Sequence, residues 1–211
     1  MRTPETRTPK TTETRRRTQA QRRAATRGAL LDAALDCLVE EGYANLSTRK
    51  VAERAGVSQG TQMHYFPSRA TFLAEAVRHV TLKLMAELRE HEGSRAGSAS
   101  RRLEELLDRV WQIHTGPVSQ ATMELWTAGR TDPEVGAAMR EVARDIDRLI
   151  AQGAAELCPE LMAKPRAGEL LDMTLSTMRG LALLQPAGDR DDLERRWRRA
   201  RGHLLVLYGN L

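Results

Sequence analysis

Paired cysteines, metal-ligand spacings and long apolar runs are all scarce in this chain, and each scarcity closes off a class of function. Only Cys37 and Cys158 occur in 211 residues, at no spacing that would hold a metal, so neither a disulfide framework nor a cysteine-built zinc site is expected. Five scattered histidines include no His-x-x-x-His pair, and neither a glycine-rich phosphate loop nor a nucleophile elbow is read from the chain. No metal, no cofactor and no enzymatic activity are therefore expected. Aromatics make up 4% of residues and apolar residues 41%. The apolar run near the end, Leu204–Tyr208, is far too short to span a bilayer. The Thr/Arg-rich N-terminus lacks the apolar segment of a signal peptide, so a soluble protein of a reducing cytoplasm, away from membranes, is the expectation. Cys37 falls in a helical apolar pattern and reads as a packed thiol.

What is present is positive charge, unevenly placed. Residues 1–66 hold twelve Lys+Arg against seven Asp+Glu, which accounts for the whole net charge of +5; the remainder balances at 21 of each sign. Phosphate binding requires such a local excess. Residues 1–20, rich in threonine and arginine with little to bury, read as a disordered basic tail. Its cluster Arg15–Arg16–Arg17, with Arg22 and Arg23, suits phosphates or a narrow minor groove; a solvated tail without fixed contacts is the alternative.

The charge surrounds the most informative stretch, Leu46–Phe66. Ser47 or Thr48 can cap a helix carrying Val51, Ala52 and Ala55, and Gly56 can end it in a positive-φ conformation. Val57 can plug the turn, and Ser58 can cap a second short helix reaching about Phe66. Two short helices around a glycine turn form a helix-turn-helix, whose second helix fits a major groove.

Elsewhere the chain repeats one theme. A helix from about Ala20 to Glu41 carries Leu30, Leu31, Ala34, Leu35 and Leu38 on one face. Ser68 can cap a long helix ending at Gly93, and Gly93–Ser100 reads as a connector. Then come Arg101–His114, a short helix to about Gly129, one opened by Asp132-Pro133-Glu134 and ended by Pro159, one over about Arg166–Gln185, and a last one capped by Asp189. No strand pattern occurs. The expected fold is all-α with about nine helices: a tail (1–20), a three-helix helix-turn-helix DNA-binding domain (21–67), and a helical effector-binding and dimerisation domain (68–211).

The run T-R-K-V-A-E-R-A-G-V-S-Q-G-T-x-x-H-Y-F-x-S-R, Thr48 to Arg69, resembles the TetR family of bacterial transcriptional regulators. The likeness is specific for about 50 residues; downstream it rests on helix number and length. It implies a homodimer whose C-terminal domain binds a small molecule and controls the spacing of two DNA-reading heads. It also puts Arg49 and Gln59 at base-contacting positions, consistent with arginine pairing to guanine O6/N7 and glutamine to adenine N6/N7. Gly60 lets the backbone approach DNA, with Thr61 and His64 on the same face. Thr48, Tyr65 and Arg69 suit phosphate. Lys50 and Arg54 read as a solvated face. The chain departs from the family at Gln62 and Met63, where an apolar residue and a tyrosine are usual. Gln62, four residues before Phe66, is expected to bond within the hairpin rather than read a base.

For the effector, Trp111, His114, Met123, Trp126 and Arg130 cluster in two adjacent helices, with Met139, Met173 and Met178 available from later ones. Ordinary core is the competing reading of the same residues. Dimerisation is expected through Leu170, Leu171, Thr174, Leu175, Met178, Leu181 and Ala182 on one helix and Leu193, Trp197, Ala200, Leu204 and Leu207 on the last. The function expected is a ligand-released repressor on a near-palindromic double-stranded operator; the alternative is a ligand-independent DNA-binding protein acting structurally or by recruitment.

Overall fold

The computed structural model describes residues 18–92 and 98–211. Thr18 opens the first helix through a reciprocal cap: its Oγ1 accepts from the Gln21 backbone N–H at 3.2 Å, and Gln21 Oε1 accepts from the Thr18 N–H at 2.9 Å. Helix α1 spans Gln19–Asn45. The expected tail thus lies outside the described residues up to position 17, while Gln19 and Ala20 already belong to α1. Gly42 breaks the helical geometry at φ 73°, ψ 168°, a region that favours glycine.

Two short helices follow, α2 (Thr48–Arg54) and α3 (Gln59–Tyr65). Ser47 Oγ accepts from the Lys50 N–H and Ser58 Oγ from the Thr61 N–H, each cap worth about 1 kcal/mol. Gly56 turns the chain between them at φ 68°. Helix α4 (Arg69–Glu92) starts behind Ser68, whose Oγ accepts from the Thr71 N–H. The expected connector 93–100 lies outside the described residues over 93–97. Beyond it run α5 (Ala99–His114), α6 (Pro117–Ala128), α7 (Pro133–Leu157), α8 (Pro159–Met162), α9 (Ala167–Ala182) and α10 (Arg190–Gly209), with a 3-10 turn at Gln185–Ala187. Asp132 caps α7 by accepting from both Glu134 and Val135 N–H groups. Among the described residues there are ten α-helices and no strand. The addition to the expected nine is α8: Pro159 stops α7 and also sits at the first turn of a new helix, where its missing N–H costs nothing.

Two apolar cores result. The first gathers α1, α2 and α4 (Leu30, Leu31, Leu38, Val51, Phe72, Leu73) together with α6 and α7 (Leu125, Val135, Met139, Val142, Ile146). It does not stop at residue 67, because α4 packs along both α1 and α7. Phe66 and Phe72 stack at 4.4 Å within it. The second core joins α5, α9 and α10 and is centred on Trp111 stacked on Trp197 at 5.0 Å. Both indoles donate outward to carboxylates, Trp111 to Glu194 at 3.0 Å and Trp197 to Asp108 at 2.9 Å.

This second core corrects the expected dimer face. Leu170, Thr174, Leu175, Met178 and Ala182 on α9, and Leu193, Trp197 and Leu204 on α10, are buried within the one chain. The two helices spend their apolar stripes on each other and on α5. Of the residues expected to meet a partner, Leu207 is the one classed as exposed, at 44%. The outward faces instead carry Met173, Ser176 and Gly180 on α9, Leu184 in the turn just after it, and Gly202 and Val206 on α10, the latter 63% exposed.

Candidate nucleic-acid interface and interior cavity

The helix-turn-helix is held from behind by charge as well as by packing. Lys50 reaches Glu41 at 2.5 Å and Arg54 reaches Glu40 at 2.5 Å, linking α2 to α1 by surface ion pairs. Both side chains stay exposed, as their reading as a solvated face expects, with the acids Glu40 and Glu41 at the end of α1 beside them. Arg54 in turn holds the Glu40 carboxyl below its ordinary range by hydrogen bonding.

Gln62 is 1% exposed, and its Nε2 donates to the Phe66 carbonyl at 3.1 Å. The side chain is thereby occupied within the hairpin, as the helical spacing anticipates. Gln59, Gly60 and His64 stand exposed on the outer side of α3, with Thr61 half-buried among them. Thr61 Oγ1 lies 2.9 Å from Ser58 Oγ. Met63 is 57% exposed, an apolar side chain left in solvent at the front of the motif. His64 meets Tyr65 edge-on at 5.7 Å, and Tyr65 leans on Phe66.

At the front of α2, Thr48 is half-buried, and Arg49 is exposed with its Nε 2.9 Å from Glu53. That pair is solvated on both sides, and such pairs contribute little, so the guanidinium is free to exchange partners. Arg69 is more committed. Its Nη2 donates to the Tyr43 carbonyl at 2.5 Å, and the guanidinium lies over the Tyr43 ring at 4.5 Å. Arg69 therefore ties the start of α4 to the end of α1 rather than projecting freely.

Residues Gly56–Gly60 read G-V-S-Q-G, the letters of a nucleophile elbow. Such an elbow needs a strand before its serine. Here α2 precedes it, and Ser58 Oγ caps α3.

Behind the motif, Tyr43 forms a junction that sequence reasoning missed. Its N–H donates to Glu124 Oε2 on α6 at 2.9 Å, and its hydroxyl donates to Asp132 at 3.1 Å. Ser68 donates to Glu134 at the same place. Hydrogen bonds from the α7 N-terminus, then from Tyr43, keep the Asp132 carboxyl below its ordinary range. A cue existed in Asp132 as a cap, but its second partner is 89 residues away in sequence.

On its other side α6 lines a cavity of about 170 Å³ together with α4, α5, α7, α8, α9 and α10. Of the eight residues named for an effector, His114, Met123, Trp126 and Met178 line it. Trp111 does not: its ring is buried against Trp197. Arg130 does not either, being exposed in the turn before α7. Met139 belongs to the first core and Met173 faces solvent at 44% exposure. The sequence missed Arg179 and Tyr208, which line the cavity from α9 and α10. The Thr81, Thr122 and Thr174 hydroxyls on its wall each donate to a carbonyl of their own helix. Burial, and then the nearby Arg179 charge, lower the His114 pKa although the Val110 carbonyl opposes them; Nδ1–H donates to that carbonyl at 2.9 Å. The ring is thus held neutral with Nε2 as an acceptor. Among the described residues no group of three or more His, Cys, Asp or Glu could hold a metal ion, and no helix is long and apolar enough to cross a membrane.

Residues 30–76 match the family model for bacterial regulatory proteins of the tetR family. An HTH-type transcriptional regulator of Mycobacterium tuberculosis is 31% identical over 149 residues, covering 68% of this chain and 76% of that protein. The HTH-type transcriptional regulator CymR of Pseudomonas putida is 29% identical over 181 residues, covering 80% and 83%. The crystal structure of a transcriptional regulator from Rhodococcus superposes with a TM-score of 0.65 at 25% identity, over 85% of this chain and 96% of the other. A TetR-family regulator from Mesorhizobium loti, 19% identical with a TM-score of 0.66 over 90% and 98%, shares the fold. With these relatives and a helix-turn-helix of this geometry, the chain belongs to the TetR family: it is a DNA-binding transcriptional regulator and not an enzyme.

Proposed function

We propose that the protein is a repressor that binds a near-palindromic operator as a homodimer and leaves it when a small molecule enters the cavity. The observation that carries this reading is the position of α6, which lines the cavity through Thr122, Met123 and Trp126 and holds the reading head through Glu124. A ligand that displaces α6 shifts Glu124 and so pulls on Tyr43, at the hinge where Gly42 breaks α1. A DNA-binding protein acting structurally or by recruitment has no use for such a hollow. In this reading residues 21–67 form the DNA-reading unit, with 68–211 as the effector and dimerisation unit sharing its core. Arg49 and Gln59 read base edges, Gly60, Thr61 and His64 face the groove, and Thr48 and Tyr65 position the head on phosphates. Arg69 supports the head through Tyr43 instead of touching DNA.

The dimer is formed through the outward stripe of α9 and α10. Met173, Ser176, Gly180 and Leu184 recur at helical spacing, as do Arg199, Gly202, Val206 and Gly209. A Cβ added at Gly180, Gly202 or Gly209 meets nothing within 4 Å, so a partner helix can approach closely. Two helices from each subunit then make a four-helix bundle about a twofold axis. A twofold protein requires half-sites about 34–36 Å apart or a multiple of that.

The test is to recover the genomic DNA that the purified protein retains, and to sediment it with and without that DNA. A palindromic site bound by a dimer supports the reading; a single asymmetric half-site bound by a monomer overturns it. Val206→Asp, at a residue far from DNA, should lower operator affinity by disrupting the dimer, and unchanged sedimentation would move the interface elsewhere.

A further inference from the structure

The cavity is one-sided in chemistry. Among the described residues that line it there is no aspartate or glutamate, so a cationic ligand would find no counter-charge there. Trp126, the aromatic face most able to attract a cation, already has the Arg179 guanidinium 5.4 Å from its ring. Among the described residues, Arg179 is the single Lys or Arg on the wall. It forms a loose ion pair with Asp147 on α7 at 3.8 Å, beyond hydrogen-bond distance, and Asp147 is itself 65% exposed. Guanidinium N–H groups are therefore available at this end, beside the neutral His114. From His114 the wall runs back along α5 to Leu103, eleven residues or about 16 Å, through Ile113, Val110 and Leu106.

We propose that the cavity takes an apolar monocarboxylate, its carboxylate held by Arg179 beside His114 and its hydrocarbon body lying along α5 toward Leu103. This rests on the effector reading above and names the ligand class for it. A planar guanidinium suits a carboxylate geometrically, and partial desolvation strengthens the pair. The apolar wall supplies the rest of the affinity by burying hydrocarbon. At the Leu103 end the cavity adjoins a second hollow lined by Arg102, Lys164 and Glu160, both of whose cations are exposed to solvent. A charge there is screened and holds an anion weakly.

Calorimetry with matched series decides it: straight-chain carboxylates, phenylalkanoates, and the alcohols and amines of the same skeletons. Carboxylates should bind more tightly than the matching alcohols and amines, by roughly tenfold or more. Arg179→Met should remove that preference while leaving alcohol binding intact, Arg179→Lys should keep part of it, and Lys164→Ala should leave it unchanged. Loss of the preference in Lys164→Ala rather than Arg179→Met would overturn the placement of the carboxylate. Tighter binding of alcohols or amines by the unaltered protein would overturn the ligand class and leave the effector reading standing. Carboxylates that bind but do not release the operator would overturn the effector reading and leave the ligand class. No binding by any series would overturn both.

Discussion

The two apolar cores of this molecule use the same residue types for opposite ends. The first, around Phe72 and Leu31, is filled, and its surroundings are cross-braced by Lys50–Glu41, Arg54–Glu40 and Tyr43–Asp132. The second, around Trp111 and Trp197, stands beside a hollow, which Val77 and Ile146 at the edge of the first core also line. A head that reads DNA needs exposed side chains on a firm frame. Under the proposed function, a domain that answers a ligand needs a vacancy and helices that can adjust around it.

Substitutions that fill or empty each core break this comparison most sharply. Phe72→Ala, at a fully buried ring in the first core, should cost about 3–5 kcal/mol in urea unfolding. Enlarging a residue gives the more telling contrast. Ala34→Leu, at 0% exposure, should destabilise by about 1–3 kcal/mol through overpacking. Thr122→Leu, on the cavity wall, should leave stability within about 1 kcal/mol of the parent while abolishing the effector response. Equal losses from the two enlargements would mean that the cavity is not a vacancy in solution.

The junction between the regions comes next in size. Tyr43→Phe removes the hydroxyl bound to Asp132 and should cost about 1 kcal/mol. Operator binding should persist, with a weakened response to effector. If the response is unchanged, the signal does not pass through this hydroxyl.

A smaller effect separates the regions by pH. The folded state holds His114 below the ordinary imidazole value of 6.5. The unfolded chain then binds more protons, so stability is fully present above that value and falls as pH drops through 6.5 toward the lower folded one. Melting temperature should follow that course, and His114→Gln should flatten it. An identical pH profile in the variant would assign the effect to other groups.

The smallest effect on stability should come from Arg49→Ala, because its pair with Glu53 is solvated on both sides; the loss should not exceed about 0.5 kcal/mol. Competition between operator and random DNA should nevertheless lose its preference for operator. Equal weakening on both DNAs would make Arg49 a phosphate contact instead.

Local chemistry in the sequence was enough to settle the head. Ser47, Gly56 and Ser58 act on neighbours within four residues, so the caps and the positive-φ turn follow from spacing alone, and Gln62 bonds Phe66 four residues on. The same holds for Asp132-Pro133 at the start of α7. What spacing could not tell is which apolar stripe meets which. Leu175 and Leu204 satisfy the pattern of a dimer face and of an internal core equally well, and the packing of α9 and α10 on α5 decided for the core. Trp111 and Trp126 lie fifteen positions apart in sequence, and only the fold sends one into a stack with Trp197 and the other to a cavity. The bonds from Tyr43 to Glu124 and Asp132 and the approach of Arg179 to His114 are long-range meetings of polar groups, which periodicity does not encode. A hollow is the extreme case: it is an absence of atoms, lined by the leucines and methionines that would otherwise fill it, so it exists only once every helix has found its place.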